Sequence, residues 1–471
     1  WINGTTTTGV QYGVYGTKGT PTATTKPGAR GSSSNWNDGA GNVYIFGGNG
    51  WGNNPPGGGS GSLADLWKYN QSTNQWTWLH GPDSVNRYGI YGTKGASAPL
   101  NRPGGRIGAM TWVDNAGNLW LFGGILGYAV SGANGLLNDL WKYNPATNEW
   151  TWVHGADSTN RLGIYGTQGT PGTFNRPGAR AQAATWVDAA GNLWLFGGAG
   201  YHETGGSGSI RLNDLWKYNP STNQWTWVHG NKTGDGKSTY GTPGVEAAGN
   251  IPGGRNLMTT WVDATGNFWM FGGVGFDATA NGYLNEIWKY NPTTNQWAFM
   301  KGTTTSNSLG NYGTQLVSAP SNVPGGRYTH ATWKDVNGNI WIYGGYGRGQ
   351  GPASGTHYLS DLWLYNSATN EWTWMEGPNG AGAANEYKAP IVAGMQGTPA
   401  PDNTPGGRQV INFWVDDDGN FWIYGGGTNS YINDVWRLAP VATTPVQPGV
   451  YTSAPASVCQ GASNIAYTVP A

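Results

Sequence analysis

An arginine, a tryptophan six residues later and a Gly-Gly pair opening seventeen residues after the arginine recur six times in this chain, with that spacing unchanged. The arginines are Arg30, Arg106, Arg180, Arg255, Arg327 and Arg408, and the tryptophans are Trp36, Trp112, Trp186, Trp261, Trp333 and Trp414. The glycine pairs open at Gly47, Gly123, Gly197, Gly272, Gly344 and Gly425. Consecutive arginines stand 76, 74, 75, 72 and 81 residues apart, so about 75 residues make one structural unit. Length alone would suggest about three domains. A long regular period points instead to units that stack to bury faces none of them can bury alone. The expectation is one large repeat body followed by a tail.

Each unit reads as four β-strands. The first runs from the arginine to a segment such as Trp112-Val113-Asp114, and Asn115-Ala116-Gly117-Asn118 reverses it. Asn and Gly accept the positive φ angles that short hairpin loops need. The second strand, Leu119-Trp120-Leu121-Phe122, is apolar on both faces and stops at Gly123-Gly124, so it is expected between two layers. The third runs from Leu137 to Asn144, and the fourth begins Glu149-Trp150-Thr151-Trp152. Two residues apart, Trp150 and Trp152 share one face of their strand, as do Trp76 with Trp78, Trp225 with Trp227, Trp372 with Trp374, and Trp297 with Phe299. These rings are expected to fill the space between sheets, each burying roughly 150–250 Å².

Composition narrows the functional classes. Lys+Arg and Asp+Glu each number 25 and only 11% of residues are charged, which implies no whole-chain basic face for nucleic acid. No run of apolar residues is long enough to span a membrane as a helix. The chain opens without a charged and then apolar leader, so a signal peptide is expected to be absent or already removed. With 81 glycines, 27 prolines and 28 tryptophans, turns and strands are favoured over helices. Low charge with abundant Thr, Asn and Gly is common in exported proteins. The single cysteine, Cys459, lies in the tail and leaves the repeats without disulfide, thiolate cluster or cysteine nucleophile.

Four-stranded units with Gly-Gly after the second strand and Trp in the fourth resemble the kelch repeat, the blade of galactose-oxidase-like β-propellers. The resemblance covers residues 1–438 and implies an all-β, six-bladed propeller with four-stranded blades. Its ring is expected to close through the chain ends. Trp1-Ile2-Asn3-Gly4 matches Trp152-Val153-His154-Gly155, whereas the sixth unit has a third strand, Ile432 to Trp436, and no fourth. The N-terminal strand is therefore expected to join the C-terminal blade, with a few upstream residues missing from the sequence. Residues 439–447 read as a Pro/Thr linker. Residues 448–471 resemble the start of the PKD-like or Ig-like modules of Bacteroidota surface proteins, which implies a larger exported protein at the bacterial cell surface, delivered by type IX secretion.

Each unit carries one acid before its third-strand tryptophan: Asp65, Asp139, Asp214, Glu286, Asp361 or Asp434. One arginine and one acid per unit predict an internal ion pair rather than a ring of free guanidinium groups. The turn aspartates Asp38, Asp114, Asp188, Asp263, Asp335 and Asp416 read as turn stabilisers, because calcium needs about six to eight oxygens. His80, His154 and His229 share one repeat position and read as structural, and His330 reads as packing. Only His202 and His357 lie in variable loops, and neither has an evident second ligand, so no metal and no cofactor is expected. Copper-radical chemistry of the galactose-oxidase kind needs two tyrosines, two histidines and a crosslinked cysteine, and the repeats hold no cysteine. No catalytic residue is assigned.

The turns from strand one to two and from three to four are short and fall on one face of the ring. The long connections fall on the other. Those from strand four to the next unit share a Tyr-Gly-Thr opening at Tyr15, Tyr91, Tyr165, Tyr240 and Tyr312, and read as scaffold. Those from strand two to three differ in every unit. They hold Trp51, Tyr128, Tyr201 with His202, Phe276, Tyr346 with His357 and Tyr358, and Tyr431, while the enlarged loop before Arg408 holds Tyr387. Binding sites are commonly built on variable loops carried by a rigid scaffold. The expected function is an extracellular binding, adhesion or display module that recognises a glycan or a surface protein through this face, with no nucleic-acid partner and no membrane insertion. The alternatives are a carbohydrate-active enzyme at the channel mouth and a structural subunit that self-associates in a surface assembly.

Overall fold

The computed structural model describes residues 2, 4, 10–53, 59–127, 135–351, 355–379, 391–392, 394–400, 403–416, 418–427 and 431–438. The linker, the tail module, Tyr128 and Tyr387 lie outside the described residues. Among those described, the secondary structure is all β, with no helix.

The first unit forms an antiparallel sheet of Ser34–Asn37, Asn42–Phe46, Leu66–Asn70 and Gln75–His80, in chain order. The third and fourth units repeat this four-stranded arrangement. In the second and fifth units the middle strands are longer, with Leu119–Leu126 against Gly135–Asn144 and Ile340–Gly347 against His357–Asn366. The sixth unit contributes Asn412–Val415, Phe421–Tyr424 and Val435–Leu438. Beside its last strand, Ile2 N–H donates to the Val435 carbonyl at 2.7 Å. Gly4 approaches the Asn433 carbonyl as Gly155 approaches that of Asn138.

Among the described residues, six large apolar clusters lie between the main sheets of successive units. Trp216 and Trp225 of the third unit pack with Met110 and Phe122 of the second, and the same arrangement joins each unit to the next. Trp414, Trp422 and Tyr424 of the sixth unit pack with Val43 and Trp76 of the first, with Ile2 against them. The first strands lie against one another in the same order, that of the sixth unit against that of the first. Hydrogen bonds follow this order: Trp112 Nε1 donates to the Trp194 carbonyl at 3.0 Å, and Asn35 Nδ2 to the Phe413 carbonyl at 3.0 Å.

The stretch from arginine to tryptophan, expected as one strand, is broken in two. The residue two after the arginine, whether Ser32, Gly108, Gln182, Leu257, Thr329 or Val410, adopts a left-handed conformation with φ between 53° and 61°. That kink turns the chain, so the arginine and its neighbour pair with the segment after Gly-Gly, as Arg180–Ala181 does with Ala199–Tyr201. Much of what reads as loop is therefore a second, smaller sheet. The Gly-Gly pair makes it possible. Gly197 and Gly198 hold φ of 68° and 93°, where L side chains are strained. A Cβ on Gly197 would lie 2.8 Å from the Arg255 carbonyl of the next unit, and that carbonyl accepts from Gly198 N–H at 2.8 Å.

The turn aspartates cap hairpins. Asp188 Oδ1 accepts from Asn192 N–H at 2.9 Å, and Oδ2 accepts from Trp194 Nε1 at 2.8 Å.

Candidate functional site

Beneath the smaller sheets, each arginine meets the acid of its own unit. Arg180 Nη1 and Nη2 donate to Asp214 Oδ1 and Oδ2 at 2.6 and 2.7 Å, and Nη1 also reaches the Gly197 carbonyl at 2.9 Å. Tyr165 Oη and Trp216 Nε1 both donate to Asp214 Oδ2, at 2.6 and 2.7 Å. The other five arginines pair with Asp65, Asp139, Glu286, Asp361 and Asp434, all buried. Burial works against the Arg180 charge, but Asp214 outweighs it and raises the arginine's pKa. Burial and then the Asp214 charge push the Tyr165 phenol well up. These groups hold the ends of each sheet together and are committed to one another. In the fourth unit Glu286 replaces aspartate. There Arg255 reaches the carboxylate through Nη2 at 2.6 Å, and Nη1 is buried without a partner.

Above each pair, the smaller sheet sets three residues side by side: the one after the arginine, the one after Gly-Gly, and the one before the Leu or Ile that leads into strand three. The rows are Gly31-Asn49-Ser62, Ile107-Ile125-Leu136, Ala181-Ala199-Arg211, Asn256-Val274-Tyr283, Tyr328-Tyr346-Tyr358 and Gln409-Gly427-Tyr431. Successive rows touch. Leu136 packs in one cluster with Ala181, Tyr283 stacks on Tyr328, and the Tyr431 ring lies over Gly31.

The rows share a backbone and differ in chemistry. The second is aliphatic and the first is small and polar, while the fifth is tyrosine throughout and is joined by Tyr283 of the fourth. Tyr328 and Tyr346 meet edge to face with centroids 5.7 Å apart, and Tyr346 and Tyr358 do so at 5.1 Å. All four rings are half-exposed. Burial pushes the Tyr328 phenol up to about 12, helped by the nearby phenols of Tyr283, Tyr346 and Tyr358. The result is a continuous aromatic surface with several hydroxyl groups at its edge.

Tyr346, Tyr358 and Tyr431 stand in these rows, and His357 lies next to the fifth, its backbone paired with Gly347. The other sequence candidates lie elsewhere. Trp51 meets Tyr12 edge to face at 5.5 Å, and its N–H donates to the Ala29 carbonyl. Tyr201 packs against the cluster of Leu136, Ala179 and Ala181. His202 sits in a tight turn where its Nδ1 accepts from Thr204 N–H at 3.3 Å. Phe276 is half-buried, and its carbonyl accepts from Ser238 Oγ at 2.9 Å. Beside it Asp277 accepts from the amides of Thr279, Ala280 and Ser306. Burial acts to raise that carboxyl, but these amides outweigh it and hold its pKa well below the usual range.

Tyr283 and Tyr328 escaped the sequence reading because they flank segments read as scaffold. The available signal was variation in register: the residue after each arginine is Gly, Ile, Ala, Asn, Tyr or Gln in turn, between neighbours that hardly change. Among the described residues, no three His, Cys, Asp or Glu side chains gather closely enough to hold a metal.

No protein-family model matches the chain. No curated protein matches it either. Among solved structures, that of YjhT aligns with 87% of this chain and 95% of its own, at 15% identity and a TM-score of 0.49.

Proposed function

We propose that residues 1–438 form a closed six-bladed propeller of the kelch kind that serves as an extracellular recognition module, binding a glycan on the tyrosine rows of its long-loop face. The observation that carries this reading is the contiguous surface of Tyr283, Tyr328, Tyr346 and Tyr358. Tyrosine offers a large rigid face at low entropic cost with a hydroxyl at its edge, which suits the C–H face and hydroxyl groups of a sugar. The scaffold does not require aromatic rings there, since other rows fold with Gly, Ala or Ile in the same places. Closure is supported by the packing of the sixth unit on the first and by the Ile2–Val435 hydrogen bond. The low charge and the tail's resemblance to surface modules support an exported protein.

A glycan array probed with the full chain and with a Tyr328→Ala/Tyr346→Ala variant tests this. Saturable binding lost in the variant supports it. Binding that persists in the variant rules out the tyrosine rows as the site, and no binding to any glycan turns the assignment to a protein partner.

A further inference from the structure

A second repeating feature lies on the loops that lead from strand four into the next unit. Lys18, His80 and Arg102 line one groove together with Leu100 and Glu149. One repeat further on, Lys94, His154 and Arg176 occupy the same sequence positions, and the unit after that has Gln168, His229 and Ile251. The histidine clips two loops together, with His80 Nε2 lying 3.1 Å from the Pro99 carbonyl, and Lys301 makes the equivalent contact to Pro320 at 2.7 Å. That clip does not call for the arginine beside it, and although Lys94 Nζ donates to the Gly155 carbonyl at 2.7 Å, an uncharged Gln168 makes the like contact to Val228 at 2.9 Å.

Those cations are held close despite their mutual repulsion. Lys18 Nζ sits 4.6 Å above the Trp78 ring, and Lys94 Nζ sits 4.1 Å above Trp152. Arg102 Nε and Arg176 Nε are both buried without a hydrogen-bond partner. Arg87 and Arg161 add like charge beside them. Facing them at the first groove are Asp83 and Glu149, the latter accepting from Ser97 Oγ at 2.8 Å. At the second is Asp157, and Gln224 stands where the first has Glu149. Burial, and then the charges of Lys94 and Arg176, lower His154 to about 4. Beside each arginine an apolar side chain projects into solvent: Leu100 is 71% exposed and Phe174 77%.

We propose that these two grooves bind the sulfate or carboxylate groups of an acidic polysaccharide, with Lys18 and Arg102 holding one anion and Lys94 and Arg176 the next, and with sugar rings against Leu100 and Phe174. Two like sites one repeat apart suit a ligand whose charge also repeats. Since the chain carries 25 residues of each sign, attraction is local to these grooves rather than spread over the surface. The second groove, with Gln224 in place of a carboxylate, binds more tightly. The proposal does not depend on the tyrosine rows.

Calorimetric titration of the full chain with dextran sulfate, polygalacturonate, uncharged dextran and a single-stranded oligonucleotide tests it. Binding to an acidic polysaccharide is expected, weakening with salt, with dextran sulfate against polygalacturonate telling sulfate from carboxylate recognition. Arg102→Gln/Arg176→Gln and, separately, Lys18→Gln/Lys94→Gln each reduce affinity by about tenfold or more. Lys237→Gln and Tyr328→Ala/Tyr346→Ala leave it unchanged, and Arg176→Gln alone costs more than Arg102→Gln. The proposal is overturned if no acidic polysaccharide binds, if the groove variants bind as the parent does, if Lys237→Gln loses as much as they do, or if the oligonucleotide binds as tightly.

Discussion

Tyr283 and Tyr328 stack across the junction of the fourth and fifth units, with ring centroids 5.5 Å apart and planes 18° from parallel. The same junction elsewhere is made by Leu136 with Ala181 and by Tyr431 over Gly31. A contact that the backbone accepts in such different forms is not what holds the units together. Units are joined below it by the clusters between sheets, while the ion pairs tie each unit to itself.

Asp214 is the first place to test that division. Asp214→Asn keeps the shape of the side chain but leaves the Arg180 guanidinium buried without a counter-charge, and is expected to destabilise the fold by about 3–5 kcal/mol. Chemical denaturation measures it. A loss below about 1 kcal/mol would mean that the carbonyls of Gly178 and Gly197 suffice for the arginine.

The fourth pair predicts the opposite sign. Arg255 Nη1 lacks a partner where every other unit has two guanidinium nitrogens on its aspartate. Glu286→Asp is expected to restore the two-point bridge and raise stability by about 1 kcal/mol. A lower denaturation midpoint for the variant would show that the longer side chain is fitted to its site.

The proposed closure of the ring couples residues at opposite ends of the chain. Ile2 packs against the cluster that contains Val435 and donates its amide to that residue. A double-mutant cycle of Ile2→Ala and Val435→Ala is expected to give a coupling energy of about 0.5–1 kcal/mol. Additivity within error would place the N-terminal residues outside the sheet.

The pH dependence should carry a mark of His330. This ring is buried, contacts Thr259 Oγ1 through Nε2 at 2.8 Å and meets Phe271 edge to face. Burial, and then the Arg327 charge, push its pKa well below the ordinary value. Above about pH 6.5 both folded and unfolded forms are neutral, and nothing is lost. As the pH falls below that, the unfolded chain takes up a proton that the folded one refuses, and stability declines by about 1.4 kcal/mol per pH unit until the folded pKa is reached. His330→Met, the residue found at the same position as Met258, should flatten the slope between pH 6 and pH 5 by that amount. An unchanged slope would locate the titration elsewhere.

The elements that every unit must build were legible in the sequence. Arg180, Trp186 and Gly197 recur at fixed offsets because a buried ion pair, an inter-sheet ring and a left-handed turn pressed against the next unit's carbonyl each admit one residue type. The acids were found as the arginines' partners for the same reason. The proposed recognition surface was less legible. Tyr346 and Tyr358 were found because they lie where length and sequence both vary. Tyr328 was passed over because it follows an invariant arginine, and only the φ of 54° at Thr329 reveals that the chain turns there and lifts Tyr328 onto the upper sheet. Trp51 and Tyr201, named on the same signal, stand outside the rows, where Trp51 meets Tyr12 and Tyr201 packs beside Leu136 and Ala181.

Glycan binding by the tyrosine rows is the central claim. The most direct measurement is the affinity of the full chain for its best array glycan, compared with Tyr328→Ala/Tyr346→Ala at equal folded fraction. At about 1–3 kcal/mol for each large ring removed from a contact, the variant should bind at least about tenfold more weakly while its denaturation midpoint shifts little. Equal affinity in the two proteins would contradict the assignment.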